Sequence, residues 1–358
     1  MKIGVITFHQ ALNYGAILQA YAFQKFVDEN FTDVEIELID YRCPYFSQLY
    51  SVNNQKGNNF AKRILKKTHF MIKRKLFSSF IKKHIALSDT YTENTIKNAN
   101  DRYNKFIVGS DQVWNPNLTN HDKNYLLTFT DVNKRYSYAA SIGLAEIPQY
   151  VSNDYLCELG RFSKISVREN QAIKTIHKLG VTSVSVEQHI DPTLLLTRSE
   201  WDMVCVQKKE IKKKDFVLIF TVDYSKELID EVVCFARKKQ LDVYYVGQRT
   251  KNPNVKYIPL ISIEKLLALF SSAKYVFVNS FHGTIFSIIY HKQFYVRLAH
   301  TDGRNSRIIN LLEKVSLTNK TSVEFIDTTI DWGYVEQVID SERQRSMEYI
   351  AEIINDES

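Results

Sequence analysis

Paired cysteines are missing from this chain: Cys43, Cys157, Cys205 and Cys234 are scattered and form no CxxC. That argues against a zinc site and a disulfide framework, and it fits a reducing cytosol. No His/Asp/Glu cluster has ligand spacing, so no metal is expected. No run approaches the ~20 apolar residues of a membrane span. The opening MKIGVITFHQ has too short an apolar stretch for a signal peptide and reads as a strand. The loop that follows, HQALNYGA, carries one glycine where a dinucleotide fold has GxGxxG, so neither NAD nor FAD is expected. Acids are absent between Tyr41 and Ser88, a stretch that holds Arg42, Lys62, Arg63, Lys73, Arg74, Lys82 and Lys83 among other cations. The formal net charge of +7 is therefore concentrated in one region.

What is present is an ordinary globular composition, 44% hydrophobic and 24% charged over 358 residues, enough for two domains. Aromatics reach 13%, and the 21 tyrosines lean toward sugar handling, where rings stack and hydroxyls hydrogen-bond. Apolar runs alternate with helical periodicity along the chain. Strands are expected at Lys2–Phe8, Glu35–Ile39, Lys105–Val108, Arg135–Ile142, Lys164–Val167 and Ser183–Glu187, and helices at Ile17–Glu29 and Glu169–Leu179. A second set follows: strands Phe216–Val222, Asp242–Val246, Tyr275–Val278 and Phe294–Val296, with helices Ser225–Lys239 and Ser262–Ser271 and others after Gly283 and from Arg304. Ser199 is expected to cap a helix starting at Glu200, and Asp331–Ile354 closes the chain as a helix. The pattern is α/β: two β/α domains in series facing a cleft, with a terminal helix that can cross back over the first.

Chemistry-bearing residues gather where strands end and helices begin, the carboxyl edge at which open α/β sheets bind ligands. His282 follows the Tyr275–Val278 strand, between Ser280 and Gly283, at a helix start suited to an anion. Ser110, Asp111, Gln112 and Trp114 follow Val108 as a polar ligand turn. Arg168 ends the strand before Glu169, and its planar guanidinium suits an oxyanion, although pairing with Glu169 or another acid is the plainer role. Asn13 and Gly15 either line a ligand cleft or cap a helix and ease a turn. Asp191 precedes Pro192 in a turn that looks like the crossing between domains. Phe60–Ile85 reads as one or two basic amphipathic helices, able to lie on anionic lipid or hold an acidic partner. No aromatic–basic motif for nucleic acid accompanies them.

The segments ITFHQALNYGAILQAYAFQK, GSDQVWN, SYAASIG, SVREN, DPTLLL and NSFHGT resemble, in order, the polysaccharide pyruvyl transferase family over roughly residues 1–315. The resemblance implies a fold similar to GT-B glycosyltransferases, with two Rossmann-like domains: 1–193 on the acceptor side, with a basic insertion at about 56–88, and 194–330 on the donor side, followed by helix 331–358. It also implies transfer of pyruvate from phosphoenolpyruvate, a co-substrate and not a bound cofactor, onto a polysaccharide sugar as a ketal. On that reading His282, Asp111 and Asp191 are the acid and base candidates. Arg168, Ser280, Gly283, Arg304 and Arg307 would hold the donor, and Asn13, Gly15, Ser110, Gln112 and Trp114 the acceptor. The basic helices suggest a lipid-linked acceptor and a cytoplasmic enzyme peripheral at the inner face of a membrane. Two rivals share the pattern: a nucleotide-sugar glycosyltransferase on the same scaffold and a non-catalytic glycan-binding scaffold.

Overall fold

The computed structural model describes residues 1–51, 60–205, 214–299 and 305–357. Contacts divide the chain into two units, Met1–Leu195 with Asp340–Ser358, and Leu196–Ile339.

The first unit is built on a five-stranded parallel sheet. Its strands are β1 (Lys2–Ile6), β2 (Glu35–Tyr41), β3 (Leu87–Tyr91), β4 (Lys105–Val108) and β5 (Arg135–Ser137), in the order β3-β2-β1-β4-β5. The pair β6 (Ile165–Val167) and β7 (Val186–Gln188) is joined to β5 by parallel bridges at Tyr136–Lys164 and Ala140–Val167. Strands β1 and β4 are apolar on both faces because helices cover the sheet. Those helices are α1 (Tyr14–Asn30), α2 (Pro44–Leu49), α3 (Phe60–His84), α4 (Pro116–Thr119), α5 (Gln149–Leu159) and α6 (Asn170–Leu179). Helix α3 is one continuous 25-residue helix. It packs on α1 through Phe77 against Tyr14 and Phe80 against Tyr21.

The second unit repeats the plan. Its strands are β8 (Phe216–Phe220), β9 (Asp242–Val246), β10 (Lys256–Tyr257), β11 (Tyr275–Val278) and β12 (Gln293–Val296), all parallel, in the order β10-β9-β8-β11-β12. Its helices are α7 (Arg198–Val204), α8 (Lys226–Lys238), α9 (Ile263–Ser272), α10 (Phe281–Ile289), α11 (Ser306–Lys314) and the start of α12 (Trp332–Asn355). From Asp340 onward the chain belongs to the first unit, where Tyr349 donates to Ser137 O at 3.0 Å. There the buried Lys105 ammonium donates to Ile353 O at 2.5 Å and to Asp356 O, which satisfies carbonyls left open at the end of α12.

Several expected boundaries move, strand Ser183–Glu187 to Val186–Gln188 among them, and two of the shifts have a local cause. Helix α7 is capped by Thr197, not Ser199: Thr197 and Glu200 form a reciprocal capping box. Strand β5 stops at Ser137 and not at Ile142, because Ala139 adopts a φ of 48° and breaks the pleat.

Candidate active site

In each sheet the strand order reverses at one point, between β1 and β4 in the first unit and between β8 and β11 in the second. Ligands of open parallel sheets sit outside the carboxyl ends of the strands at such a point.

In the second unit this edge carries the NSFHGT turn. Asn279 accepts from Val222 N at 3.0 Å and donates to Asp223 O at 2.8 Å, tying the loop after β8 to the turn after β11. Ser280 is the N-cap of α10, its hydroxyl accepting from Gly283 N at 3.2 Å. His282 is therefore the second residue of that helix and is half-buried. The Arg307 guanidinium lies 5.7 Å from the Phe281 ring, whose centroid is 5.3 Å from that of His282. His282 and Arg307 are thus brought to one turn although 25 positions apart in sequence. Arg304 lies outside the described residues. Gly283 is corrected as a donor contact: its N–H is engaged by the cap, and a Cβ there would come within 2.8 Å of Val278 Cγ1 and of Ser280 Oγ. The glycine is required by packing of α10 on β11.

In the first unit the GSDQVWN, SYAASIG, SVREN and DPTLLL segments converge on one buried cluster. Arg168 is at its centre, with 1% of its side chain exposed. Its Nη1 lies 2.7 Å from Asp191 Oδ2 and 3.3 Å from Ser110 Oγ, its Nε 3.7 Å from Glu169 Oε2, and its Nη2 3.8 Å from Asp111 Oδ1. Ser141 donates to Glu169 Oε1 at 2.6 Å. Burial opposes the charge on Arg168, but the carboxylates of Asp191, Glu169 and Asp111 outweigh it and hold its pKa above the ordinary value.

This geometry gives most of the candidate residues of this unit a structural partner, which for Arg168, Asn13 and Gly15 is the plainer of the two expected roles. Arg168 is already surrounded by carboxylates, with which an incoming phosphate or carboxylate would have to compete. Asp191 is also structural: Oδ1 accepts from Thr193 N and Oγ1 at 3.0 and 2.6 Å, Oδ2 from Arg168 and Ser110, and its side chain is fully buried. Ser110 is buried beside it, and its carbonyl accepts from Thr7 Oγ1 at 2.7 Å. Trp114 is core, its indole donating to Tyr125 O at 3.0 Å and packing edge-on against Phe162. Gln112 accepts from Asn115 at 3.0 Å and packs against Gly143, where a Cβ would overlap its amide. Asn13 caps α1 by accepting from Gly15 N at 2.9 Å, and Gly15 is buried inside that helix.

Asp111 differs from its neighbours. It sits at φ 79°, a conformation that costs a non-glycine residue about 1–3 kcal/mol. Ser141 N donates to its carbonyl at 2.9 Å, and Gln112 N to its own carboxylate at 2.8 Å, which holds it there. Its side chain stays 15% exposed. Of the four charged residues around Arg168, including Arg168 itself, it reaches solvent most.

The sequence reading passed over a second pair. His9, just beyond β1, contacts Asp40 near the end of β2 through Nε2 at 2.9 Å, and Thr7 O through Nδ1 at 3.2 Å. Burial pushes the Asp40 carboxyl up, but hydrogen bonds from His9 and Thr90, the nearby His9 charge and a bond from Arg42 hold it below the usual carboxylate range. The strand-end position that singled out His282 applies equally to His9 and could have flagged it.

Among solved structures, the chain is similar to UDP-GlcNAc 2-epimerase of Methanocaldococcus jannaschii, at 11% identity and a TM-score of 0.50 over 98% of this chain and 100% of the other. It is also similar to MurG of Acinetobacter baumannii, at 10% identity and a TM-score of 0.42 over 99% of each chain. The first of these likenesses concerns architecture: a GT-B-like α/β protein with two parallel-sheet units. No protein of curated function matches the sequence. The polysaccharide pyruvyl transferase family matches residues 13–298, most of the chain, and the protein belongs to that family. No helix among the described residues is long and apolar enough to cross a membrane.

Proposed function

We propose that the protein moves pyruvate from phosphoenolpyruvate onto two hydroxyls of one sugar in a polysaccharide or its precursor. The observation that carries this reading is the family match over residues 13–298, which spans both the Asp111 turn and the His282 turn. In the reaction, C3 of the enol is protonated, one sugar hydroxyl attacks C2, and the C2–O bond to phosphate breaks. The second hydroxyl then closes the ketal. Of the two hydroxyl protons released, one replaces the proton spent on C3 and the other leaves with phosphate.

On this reading His282 protonates C3 or accepts a hydroxyl proton, since an imidazole can serve as acid or base. The first turn of α10 presents the positive end of its dipole, and Arg307 adds a full charge, which suits a donor carrying phosphate and carboxylate. Asp111, the partly exposed carboxylate of the first unit, is the acceptor-side base on this reading. Purified protein is expected to melt higher with phosphoenolpyruvate and to release phosphate from it when offered glycosides with free hydroxyl pairs. Stabilisation by a nucleotide sugar and not by phosphoenolpyruvate would overturn the donor assignment in favour of a glycosyltransferase.

The reading includes peripheral contact with an anionic membrane through α3. Ile64, Leu65, Met71 and Ile72 form one exposed stripe on this helix, with Leu65 69% exposed. Lysines and arginines alternate with the stripe, and α3 contains no acid. An apolar stripe set among cations is complementary to anionic headgroups over acyl chains. The protein is expected to float with vesicles containing phosphatidylglycerol, and Leu65→Glu/Met71→Glu to remain in solution. Equal flotation of the two proteins would sink the contact.

A further inference from the structure

The ITFHQALNYG segment and the inner face of α3 border a cavity that none of the roles above uses. It has a volume of about 510 Å³, within the range of small-molecule sites, and opens beside the ends of β1 and β2. His9, Gln10, Ala11 and Leu12 follow β1 into it, Asp40 and Arg42 come from β2 and its end, and Arg74, Phe77 and Lys82 from α3.

Its electrostatics are one-sided. Arg42, Arg74 and Lys82 line it, and Asp40 is the one acid among the described lining residues. Asp40 is buried and already accepts from His9 at 2.9 Å, Arg42 at 2.7 Å, Thr90 at 2.7 Å and Gln10 at 3.3 Å. Arg74 and Lys82 are exposed and have no ion-pair partner among the described residues. Two exposed cations at one cavity whose one described acid is already engaged form a ready anion site. The walls between them are aromatic: Phe46 and Tyr50 stack with centroids 6.1 Å apart, and Phe77 stands on the α3 side. Aromatic faces beside cations suit a ligand with a sugar ring and a phosphate.

We propose that this cavity binds a phosphorylated saccharide, with its phosphate or diphosphate beside Arg74, Lys82 and Arg42 and its sugar ring against Tyr50, the partly exposed aromatic of the lining. The role of that ligand as the acceptor rests on the pyruvyl-transfer reading; its binding does not. The phosphate can belong to a soluble sugar phosphate or to the diphosphate of a lipid-linked sugar, and the two share this chemistry.

Calorimetric titration with glucose 1-phosphate, glucose and inorganic pyrophosphate tests the site. Arg74→Ala/Lys82→Ala is the cavity variant, and Lys75→Ala/Lys83→Ala removes equal charge from α3 away from the cavity. Wild type is expected to bind at least one phosphate probe and to ignore glucose at the same concentration. The cavity variant is expected to bind that probe roughly tenfold or more weakly, and the control variant to keep wild-type affinity. Preference for glucose 1-phosphate points to a soluble acceptor, and preference for pyrophosphate to a diphosphate-linked one. No phosphate binding by wild type, undiminished binding by the cavity variant, or an equal loss in the control would overturn the site. Phosphoenolpyruvate is titrated in parallel. If its binding disappears with the cavity variant alone, the cavity holds the donor and the acceptor role is overturned. If phosphoenolpyruvate binds no form of the protein, pyruvyl transfer fails, while the phosphate titrations still decide the site.

Discussion

Arg168→Ala is expected to cost about 3–5 kcal/mol of stability, the usual loss when one partner of a buried ion pair is removed. For a unit of this size that corresponds to a melting temperature lower by roughly 6–20 °C. The Arg168 side chain is 1% exposed, and three carboxylates lie within 3.8 Å of it. Without the guanidinium, Asp191 keeps its bonds from Thr193 and Ser110, but Glu169 and Asp111 lose their nearest cation. Asp191→Ala is expected to fall in the same range because it removes the one carboxylate hydrogen-bonded to the buried cation. The double variant should lose less than the sum of the two by about 1 kcal/mol or more, since the second substitution removes a charge the first left unpaired. Urea denaturation of the four proteins measures that coupling. A donor-binding arginine would behave oppositely. Arg168→Ala would then melt within about 2 °C of wild type, by the same scaling, and lose its response to phosphoenolpyruvate, and that result would dismiss the structural role.

Why Arg168 invited the other role is a matter of which distances a sequence carries. Strands buried on both faces are written locally, as apolar runs four or five residues long. Lys105–Val108 and Tyr275–Val278 lie where their side chains place them. The edge strand Leu87–Tyr91 is polar and mostly unburied, so alternation does not betray it; its place comes from pairing with β2. Arg168 and Asp191 are 23 residues apart, and their contact depends on β6 and β7 pairing in register. The sequence places Arg168 at a strand end and Asp191 in the turn at Pro192, and both lie there, but it cannot say that they face each other. The same holds for Trp114, whose turn was legible and whose inward orientation follows from the packing of Phe162 and Tyr125. Helix capping is the exception among the errors: Thr197-Arg198-Ser199-Glu200 carries the Thr-x-x-Glu signature, and that pattern selects Thr197 over Ser199.

His282→Ala is expected to lower turnover with phosphoenolpyruvate by roughly 10²–10⁴-fold, the usual worth of a positioned acid or base, with little change in melting temperature. The two effects separate because of where the residue sits. The helix start is held by Ser280, through its cap to Gly283 N, and by Asn279, through its bonds to Val222 and Asp223. Phe281 and Ile285 supply the buried face of α10, while His282 is half-buried at its first turn. Removing the imidazole therefore takes away a proton carrier and leaves the frame that aims the turn. His282→Asn keeps a hydrogen-bonding side chain of similar reach but has no titrating nitrogen. It should retain stabilisation by phosphoenolpyruvate while losing turnover almost as fully as alanine, so the loss falls on kcat and not on KM. Initial rates of phosphate release with a panel of glycosides, alongside melting curves with and without phosphoenolpyruvate, give both quantities from the same samples. Turnover within about threefold of wild type in His282→Asn, where a positioned acid or base is worth far more, would remove His282 from proton transfer. The partly exposed carboxylate of Asp111 would then be the next residue to carry the proton.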